Sequence, residues 1–330
     1  MDSWVFHIMA PMEQLWGRLW SVLPLSGLEL LAVLVLAGSV FWSVRTAVFA
    51  WRDRGGWALF RRLAALAAVW LWLWAGLCWL WNAAYYASPF TQRAGLEAGP
   101  CSVEELTAVT AYFAEQAARL SVQVARDQEG HFAENLSDCF QRGTAVYEGL
   151  TREFSCLEIR SVQAKPLVFS RLQSILGFTG IYSPFTGEAN VNVDAPLCLV
   201  PATIAHEMAH QRMVSSELEA NFVGIAACAT SEDLVFQYSG YLMGLIQLCN
   251  ALYPVDDSAW LRIAETYFTP QLSTDWRDNN TYWAALSSPV EEAAGRVYDG
   301  FLKGNDQELG IRSYGACVDL LVSYFGTLLP

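Results

Sequence analysis

Two histidines with a glutamate between them are the residues in this chain that could hold a metal and do chemistry. Residues 206–210 read His-Glu-Met-Ala-His, in a chain with only four histidines. On a helix, His206 and His210 lie one turn apart on the same face, and two imidazoles at that spacing can bind one Zn²⁺. Glu207 stands beside the first ligand, where it can take a proton from metal-bound water. The pattern predicts a zinc site with Glu207 as the catalytic base.

A catalytic zinc needs a third protein ligand, and the sequence offers an acidic one. A third histidine six residues beyond His210 is absent, because that position is Ser216. Ser216 to Glu219 predicts a capping box at the start of a helix, in which Glu219 bonds back to the Ser216 amide. Glu217 is then free to bind the metal, with Asn221 one turn later supporting it. Glu219 stays open as the alternative ligand.

Other residues could assist catalysis or bind the substrate. An oxyanion at the metal needs a further hydrogen-bond donor, and Tyr238 and Tyr241 are candidates, with Tyr182 as another. The strand-like Asn190–Asn192 predicts either a sheet edge that pairs with an extended peptide or a plain structural strand. Arg212 could pair with an acid near the site or face water.

The elements that must position these residues have mostly helical patterns. We expect a capping box at Ser102 and Glu105, and a buried helix over Leu234–Tyr253 beside the metal helix. The other predicted elements are helices over 102–127 and 138–155, strands over 161–170 and 180–194 with a turn at 183–187, and helices from 201 onward. A small sheet between helices predicts an α+β fold, mostly α.

The N-terminal part differs from the rest of the chain. Residues 1–82 hold 11 of the 14 tryptophans. They also hold six arginines against four acids, a net charge of +2, so the remainder of the chain carries −15 and the whole chain −13. Leu28–Val44 and Leu63–Trp81 are apolar runs of 17 and 19 residues that predict transmembrane helices rather than buried soluble ones. Residues 1–24 predict an interfacial helix or a third span.

Charge also predicts the topology and the partners. Arg45–Arg62 holds five arginines and one acid, so by the positive-inside rule this loop is cytoplasmic. We therefore expect a membrane anchor over 1–82, in contact with the bilayer through 25–81, and an extracytoplasmic domain over 83–330. The acidic balance argues against nucleic acid as a partner. Outside the cytoplasm a disulfide is allowed, and Cys101–Cys139 is a candidate pair.

These motifs resemble those of the glutamate-ligand zincins, the gluzincins. Their second motif is E-x-x-x-D or E-x-x-A-D, as in thermolysin-like peptidases, and here Glu217–Asn221 follows the two histidines. Asn221 stands where those enzymes have Asp. The resemblance implies a zincin-like metallopeptidase domain with a glutamate as the third zinc ligand.

A closer resemblance is to an uncharacterised family of bacterial membrane-anchored zincin-like proteins. Its pattern runs Y-x-P-F-T-G-E-A-N-V-N, H-E-x-x-H-Q-R, E-x-E-A-N-F and Y-S-G-Y. This chain carries these motifs in order, at Tyr182–Asn192, His206–Arg212, Glu217–Phe222 and Tyr238–Tyr241. The resemblance covers most of residues 100–325 and implies two or three N-terminal helices followed by an exterior zinc domain.

Together the motifs predict a membrane-anchored zinc metallopeptidase that hydrolyses peptides or proteins. Two other functions stay open. The chain could be a catalytically inactive zinc-binding sensor or scaffold at the membrane. It could also be an intramembrane metalloprotease, which the charges of Arg212, Glu217 and Glu219 disfavour because charged side chains are costly in lipid.

Overall fold

A computed structural model describes residues 1–53, 55–305 and 314–329. Helices hold 71% of the residues and strands 4%. The predicted class, mostly helical with one small sheet, is therefore confirmed.

Helices make up most of the described chain. The N-terminal helices are α1 (Asp2–Trp4), α2 (Ala10–Trp20), α3 (Gly27–Asp53) and α4 (Gly56–Leu80), with a π-helix over Val5–Met9 and a 3₁₀ helix over Asn82–Tyr86. The later helices are α5 (Phe90–Ala94), α6 (Val103–Ser121), α7 (Leu136–Arg142), α8 (Glu148–Glu153), α9 (Ser170–Ile175), α10 (Val200–His210), α11 (Glu217–Ala229), α12 (Leu234–Leu252), α13 (Asp257–Tyr267), α14 (Pro270–Leu286), α15 (Pro289–Gly304) and α16 (Tyr314–Gly326). Short 3₁₀ helices lie at Gly143–Ala145, Ser155–Leu157 and Leu197–Leu199.

Two long apolar helices stand out near the N-terminus. The segments Gly27–Arg52 and Gly56–Tyr86 have mean hydropathies of 2.0 and 1.9, and are long and apolar enough to cross a membrane. Almost none of the residues in their most apolar stretches are buried by the rest of the protein. The predicted loop at 45–62 is mostly helical, because α3 continues to Asp53 and α4 begins at Gly56. Arg54 of that loop lies outside the described residues.

The first twenty residues pack against the rest of the protein. They form a continuous helix through α1, the π-helix and α2, and they do not meet the length and apolarity of a span. Val5, Met9, Glu13 and Gly17 are buried. The hydroxyl of Tyr182 donates a 2.6 Å hydrogen bond to the Glu13 carboxyl group, so this helix packs against the sheet.

The sheet has three short strands, β1 (Lys165–Pro166), β2 (Gly180–Ser183) and β3 (Glu188–Val191). Their order is β1-β3-β2, with β1 parallel and β2 antiparallel to β3. Gly180 pairs with Val191 and Ser183 with Glu188, and the Gly187 amide closes the predicted turn on the Ser183 carbonyl at 2.7 Å.

The sheet corrects two predictions. The strand expected over 161–170 is reduced to two residues, and that over 180–194 is a hairpin. Asn190–Asn192 does not form an edge, because β3 is the central strand and all of its residues are buried. The free edge next to α10 belongs to β2 instead.

A buried ion pair connects the sheet to the N-terminal helices. Lys165 Nζ lies 2.5 Å from Glu188 Oε1 and donates to the carbonyls of Trp20 and Leu25. The second oxygen of Glu188 accepts from the Leu28 amide at 3.2 Å, near the start of α3. Each group of the pair is thus hydrogen-bonded further, as burial of charge requires.

The main core forms where α6, α10, α11 and α12 meet. α12 is the buried helix predicted over 234–253, and it packs against α6, α11 and α10. The capping box at Ser102 and Glu105 is present, but α6 ends at Ser121 rather than near 127. The helix predicted over 138–155 is broken into α7, a 3₁₀ helix and α8.

The predicted disulfide is absent. All eight cysteines lie in the described part of the chain and all are free. Cys139 is buried in the core, while the amide of Cys101, just before α6, donates to Asp319 of α16. Burial raises the pKa of the Cys139 thiol to about 12, which is typical of an inert core cysteine.

Candidate metal centre

The site begins with the close crossing of α10 and α11. A Cβ at Gly224 would lie 2.9 Å from the main-chain nitrogen of His206, so only glycine lets the two helices approach this closely. α10 begins with Pro201 in its first turn and is buried along nearly its whole length. The crossing brings Glu217, the first residue of α11, to the His206–His210 face.

His206, His210 and Glu217 form a cluster that fits a zinc ion. Their ligand atoms lie within 4.8 Å of one another. Glu217 Oε2 is 3.3 Å from His206 Nε2, and Glu217 Oε1 is 3.7 Å from His210 Nε2. Ligands of a tetrahedral zinc, each 2.0–2.1 Å from the ion, are about 3.3 Å apart. The structure therefore brings the three predicted ligands together, and the two distances to Glu217 are close to the separation of neighbouring zinc ligands.

The backbone after α10 orients His210. Its Nδ1 lies 2.7 Å from the Val214 carbonyl oxygen, which only accepts, so Nδ1 carries the hydrogen of this bond and Nε2 is left to bind a metal. The reversal that brings Val214 back is made by Met213, whose φ of 56° is left-handed. A non-glycine residue there costs about 1–2 kcal/mol. The turn at Met213 is therefore strained.

Glu207 lies against the end of β2. It is buried, and its Oε2 has no hydrogen-bond partner. A Cβ at Gly180 would lie 2.3 Å from Glu207 Oε1, so the carboxylate fills the space that a side chain would occupy. Burial raises the pKa of Glu207 to about 8, with the charge of His206 opposing and that of Glu217 adding to the shift. A dication next to it would lower this pKa again.

The charges of the cluster support one another. Burial lowers the pKa of His210 to about 4, which keeps the imidazole neutral as a metal ligand must be. Burial also opposes ionisation of Glu217, but the neighbouring His210 and His206 outweigh it and lower its pKa to about 2. Burial lowers the pKa of His206, yet the hydrogen bond to Glu217 and nearby charges leave it raised.

Glu219 is not at the site, and its predicted local role is wrong. Ser216 precedes α11 without any side-chain capping bond. The Glu219 carboxylate instead accepts from the amides of Phe90 and Thr91 at 2.8 and 2.9 Å, and from the Thr91 hydroxyl. It caps the short helix α5, so Glu217 is the acidic member of the cluster.

Asn221 lies near a different partner from the one expected. Its side chain interacts with His206 and helps to raise the pKa of that imidazole. We expected it to support Glu217. Nδ1 of His206 is buried without a hydrogen-bond partner.

The two tyrosines proposed for the transition state are elsewhere. Tyr238 is fully buried and donates to Asp275, and its ring stacks on Phe132. Tyr241 contacts Tyr112 through its hydroxyl. Neither lines the cavity at the metal cluster. Both predictions are wrong, because α12 directs Tyr241 toward α6 and Tyr238 toward α14, and neither side chain reaches the cavity.

Tyr182 lines the cavity, but its hydroxyl is already engaged. It donates to Glu13, and the ring lies 6.3 Å from that of His210. Arg212 is also committed: it is buried, its guanidinium lies 3.6 Å from the Tyr147 ring centroid, and it donates to the Met208 carbonyl. The expectation that Arg212 faces water or an acid is therefore wrong.

Tyr298 is the residue that sequence reasoning missed. It belongs to α15, and its hydroxyl donates a 2.5 Å hydrogen bond to Glu217 Oε1. Its ring contacts Phe178 at 5.4 Å. A single tyrosine on an amphipathic helix 81 positions after Glu217 carries no local signal of this contact.

The cluster opens into a cavity of about 480 Å³. It is lined by β2 with the segment before it and by the end of α4, through Leu77 and Trp81. Trp81 lies edge-on to His210, with ring centroids 5.3 Å apart. The cleft is therefore partly apolar and directly joined to the second long apolar helix.

Fold and site together define a helical protein with a candidate metal centre and two helices long and apolar enough for a membrane. The family model described as "Protein of unknown function (DUF3810)" matches residues 6–322, so the chain belongs to this family. No curated protein and no solved structure matches the chain.

Proposed function

We propose that this protein is a membrane-anchored, zinc-dependent peptidase. The observation that carries the proposal is the cluster of His206, His210 and Glu217 with the buried Glu207 beside it. Three nitrogen and oxygen ligands, with room for a substrate in the cavity, suit a catalytic rather than a structural zinc. The ligand set is that of the gluzincins, which supports a zincin-like domain.

The chemistry would divide between the metal and the chain. A zinc ion held by the three residues would supply Lewis acidity, which polarises a peptide carbonyl and makes water a better nucleophile. Glu207 accepts a proton from the attacking water, whose oxygen bonds to the carbonyl carbon. As the C–N bond breaks, Glu207 passes that proton to the leaving amine. Tyr298 holds the Glu217 carboxylate in place through its hydroxyl.

Substrate placement follows from the free edge of β2. β2 pairs with β3 on one side only, and Gly180 and Ile181 line the cavity. An extended peptide can add to such an edge by main-chain hydrogen bonds, which would set its carbonyl beside Glu207. The substrate is therefore a peptide or an unfolded protein segment.

The anchor proposal rests on α3 and α4. Their apolar lengths match a bilayer, and arginines lie where the two helices meet. That charge favours a cytoplasmic position for the connection and an extracytoplasmic domain. Cleavage inside the bilayer has less support, because α10 and α11 pack in the domain core and not among the apolar helices.

The test uses the full chain in detergent, depleted of metal by a chelator and reloaded with zinc. We expect stoichiometric zinc and cleavage of β-casein, with Glu207→Gln keeping the zinc but losing about 10²–10⁴-fold in rate. Equal cleavage by the variant would overturn the assignment of Glu207. Zinc binding without any cleavage by the wild-type protein would favour the sensor or scaffold.

A further inference from the structure

Helix α9 buries its serines and exposes its large apolar side chains. Its serines, Ser170 and Ser174, are buried and hydrogen-bonded, including a 2.8 Å bond from the Asn192 amide to Ser174. Its large apolar residues lie on the outside: Leu172 is 53% and Ile175 36% exposed. Water disfavours this arrangement, which is the reverse of a surface helix in a soluble protein. An apolar medium on the outer side would favour it.

The residues before α9 extend the same surface. Val168 is 64% and Phe169 51% exposed. Phe169, Leu172 and Ile175 follow at intervals of three, so they share one side of the helix. We call Val168, Phe169, Leu172 and Ile175 the outer apolar surface. Clustered exposure of this kind marks a binding or membrane surface.

The outer apolar surface is fastened to the first apolar helix. The Glu29 carboxylate accepts from the amides of Val168 and Phe169 at 2.9 and 2.7 Å. Glu29 lies about 3 Å along the axis from the start of α3 at Gly27. Val168 and Phe169 also close an apolar cavity against Leu30 and Val33 of α3. The surface is therefore continuous with the proposed membrane span, at the level where that span ends.

The same segment is one rim of the cleft. Gln173 and Leu176, on the side of α9 next to the outer apolar surface, line the cavity of the metal cluster. The end of α4 also lines this cavity, through Leu77 and Trp81, and Trp81 contacts His210. The cleft is therefore lined both by the segment that carries the outer apolar surface and by the second long apolar helix.

We propose that the outer apolar surface lies in the bilayer surface, and that the cleft beside it cleaves polypeptides tethered to the membrane. The first half of this inference rests on the proposed membrane anchor, and the second half rests on the proposed peptidase function. The occupant of the outer apolar surface is lipid: acyl chains cover its side chains, as they cover the adjoining face of α3. A tethered polypeptide then reaches the metal without leaving the membrane surface.

The lipid contact is tested by photocrosslinking in the full chain. p-Benzoylphenylalanine replaces Phe169 in one sample and Tyr253 in the control, an aromatic residue of similar exposure (57%) that precedes two aspartates at 256 and 257. After reconstitution in phosphatidylcholine vesicles and illumination, we expect a lipid adduct at 169 and none at 253. The absence of an adduct at 169, or equal adducts at both positions, overturns the lipid contact. The same label at Leu172 repeats the measurement if the first variant does not reconstitute.

The substrate class is tested with β-casein, free or palmitoylated at its N-terminus, and zinc-loaded protein in the same vesicles. Tethering raises the local concentration of substrate, so we expect cleavage of the palmitoylated form to be about tenfold faster or more. Leu172→Glu should reduce this preference while leaving cleavage of free casein in detergent unchanged. Equal rates for both caseins overturn the substrate class but leave the peptidase proposal intact. Cleavage of neither form by zinc-loaded protein overturns the peptidase proposal, and the substrate class with it.

Discussion

Any side chain at position 180 would place its Cβ 2.3 Å from Glu207 Oε1, so Gly180 and Glu207 pack as a pair. The same Cβ would lie 2.7 Å from Glu207 Cγ and Cδ, so the whole carboxylate group and not one oxygen alone would have to move. The carboxylate cannot keep its position beside anything larger than glycine. Strand β2 therefore sets where the proposed base stands.

Gly180→Ala should displace Glu207 without touching the metal ligands. A shift of about 1 Å at a catalytic group costs about 10²-fold in rate. We expect casein cleavage to fall by that factor while the zinc content stays at the wild-type level. Gly99→Ala is the matched control, because a Cβ there meets nothing within 4 Å. Wild-type activity in Gly180→Ala would contradict the role given to Glu207.

Glu217 and Glu219 should respond differently to the same substitution. Glu217→Gln removes a charged ligand, so we expect zinc affinity to fall by more than about 100-fold, beyond what loss of a supporting group costs. Glu219→Gln leaves zinc binding unchanged. It costs about 1.5–3 kcal/mol of stability, because the α5 amides lose a charged acceptor. Metal analysis and thermal unfolding separate the two, and the reverse pattern would exchange the assignments.

Tyr298→Phe removes only the hydroxyl that donates to Glu217. Groups that hold a metal ligand typically contribute 10–100-fold to metal affinity or activity, so we expect a fall of about tenfold in zinc affinity. The ring contact with Phe178 is kept, which should leave the unfolding temperature nearly unchanged. Tyr241→Phe, far from the cavity, serves as the control. Equal zinc affinity in the two variants would exclude a role for Tyr298.

Glu13→Gln should change how stability depends on pH. Burial raises the pKa of Glu13 well above its ordinary 4.5, although the hydrogen bond from Tyr182 opposes this. A group that binds its proton more tightly when folded contributes its stability below the unfolded pKa and loses it as pH rises through the folded pKa. Glutamine stays neutral throughout. We therefore expect equal stability at pH 4 and a widening advantage for the variant above it, by about 1.4 kcal/mol per pH unit in the titration range.

Thermal unfolding in detergent from pH 4 to 8 measures this difference. Glu148→Gln is the control, since Glu148 is an exposed residue and its replacement should give a constant difference. A Glu13→Gln difference that is independent of pH, or that shrinks as pH rises, would contradict a buried neutral Glu13.

Features that depend on neighbours along the chain could be predicted from the sequence. The four-residue interval from His206 to His210 puts both imidazoles on one face of any helix. The two apolar runs have the length of a bilayer whatever surrounds them, and the capping box of Ser102 and Glu105 closes within one turn. Local geometry decides each of these features. The metal motif, the apolar helices and the mostly helical class could therefore be predicted from the sequence.

Features that depend on distant segments were decided by the tertiary structure. Glu217 and Glu219 are two residues apart, and only the position of the Phe90 and Thr91 amides, about 130 residues earlier, shows which carboxylate is committed elsewhere. Tyr298 reaches Glu217 because α15 folds back over the cleft. Helical and strand periodicity identifies a face but does not say what packs against it. The partners of each polar group, and the contact of the cleft with the apolar helices, follow from packing alone.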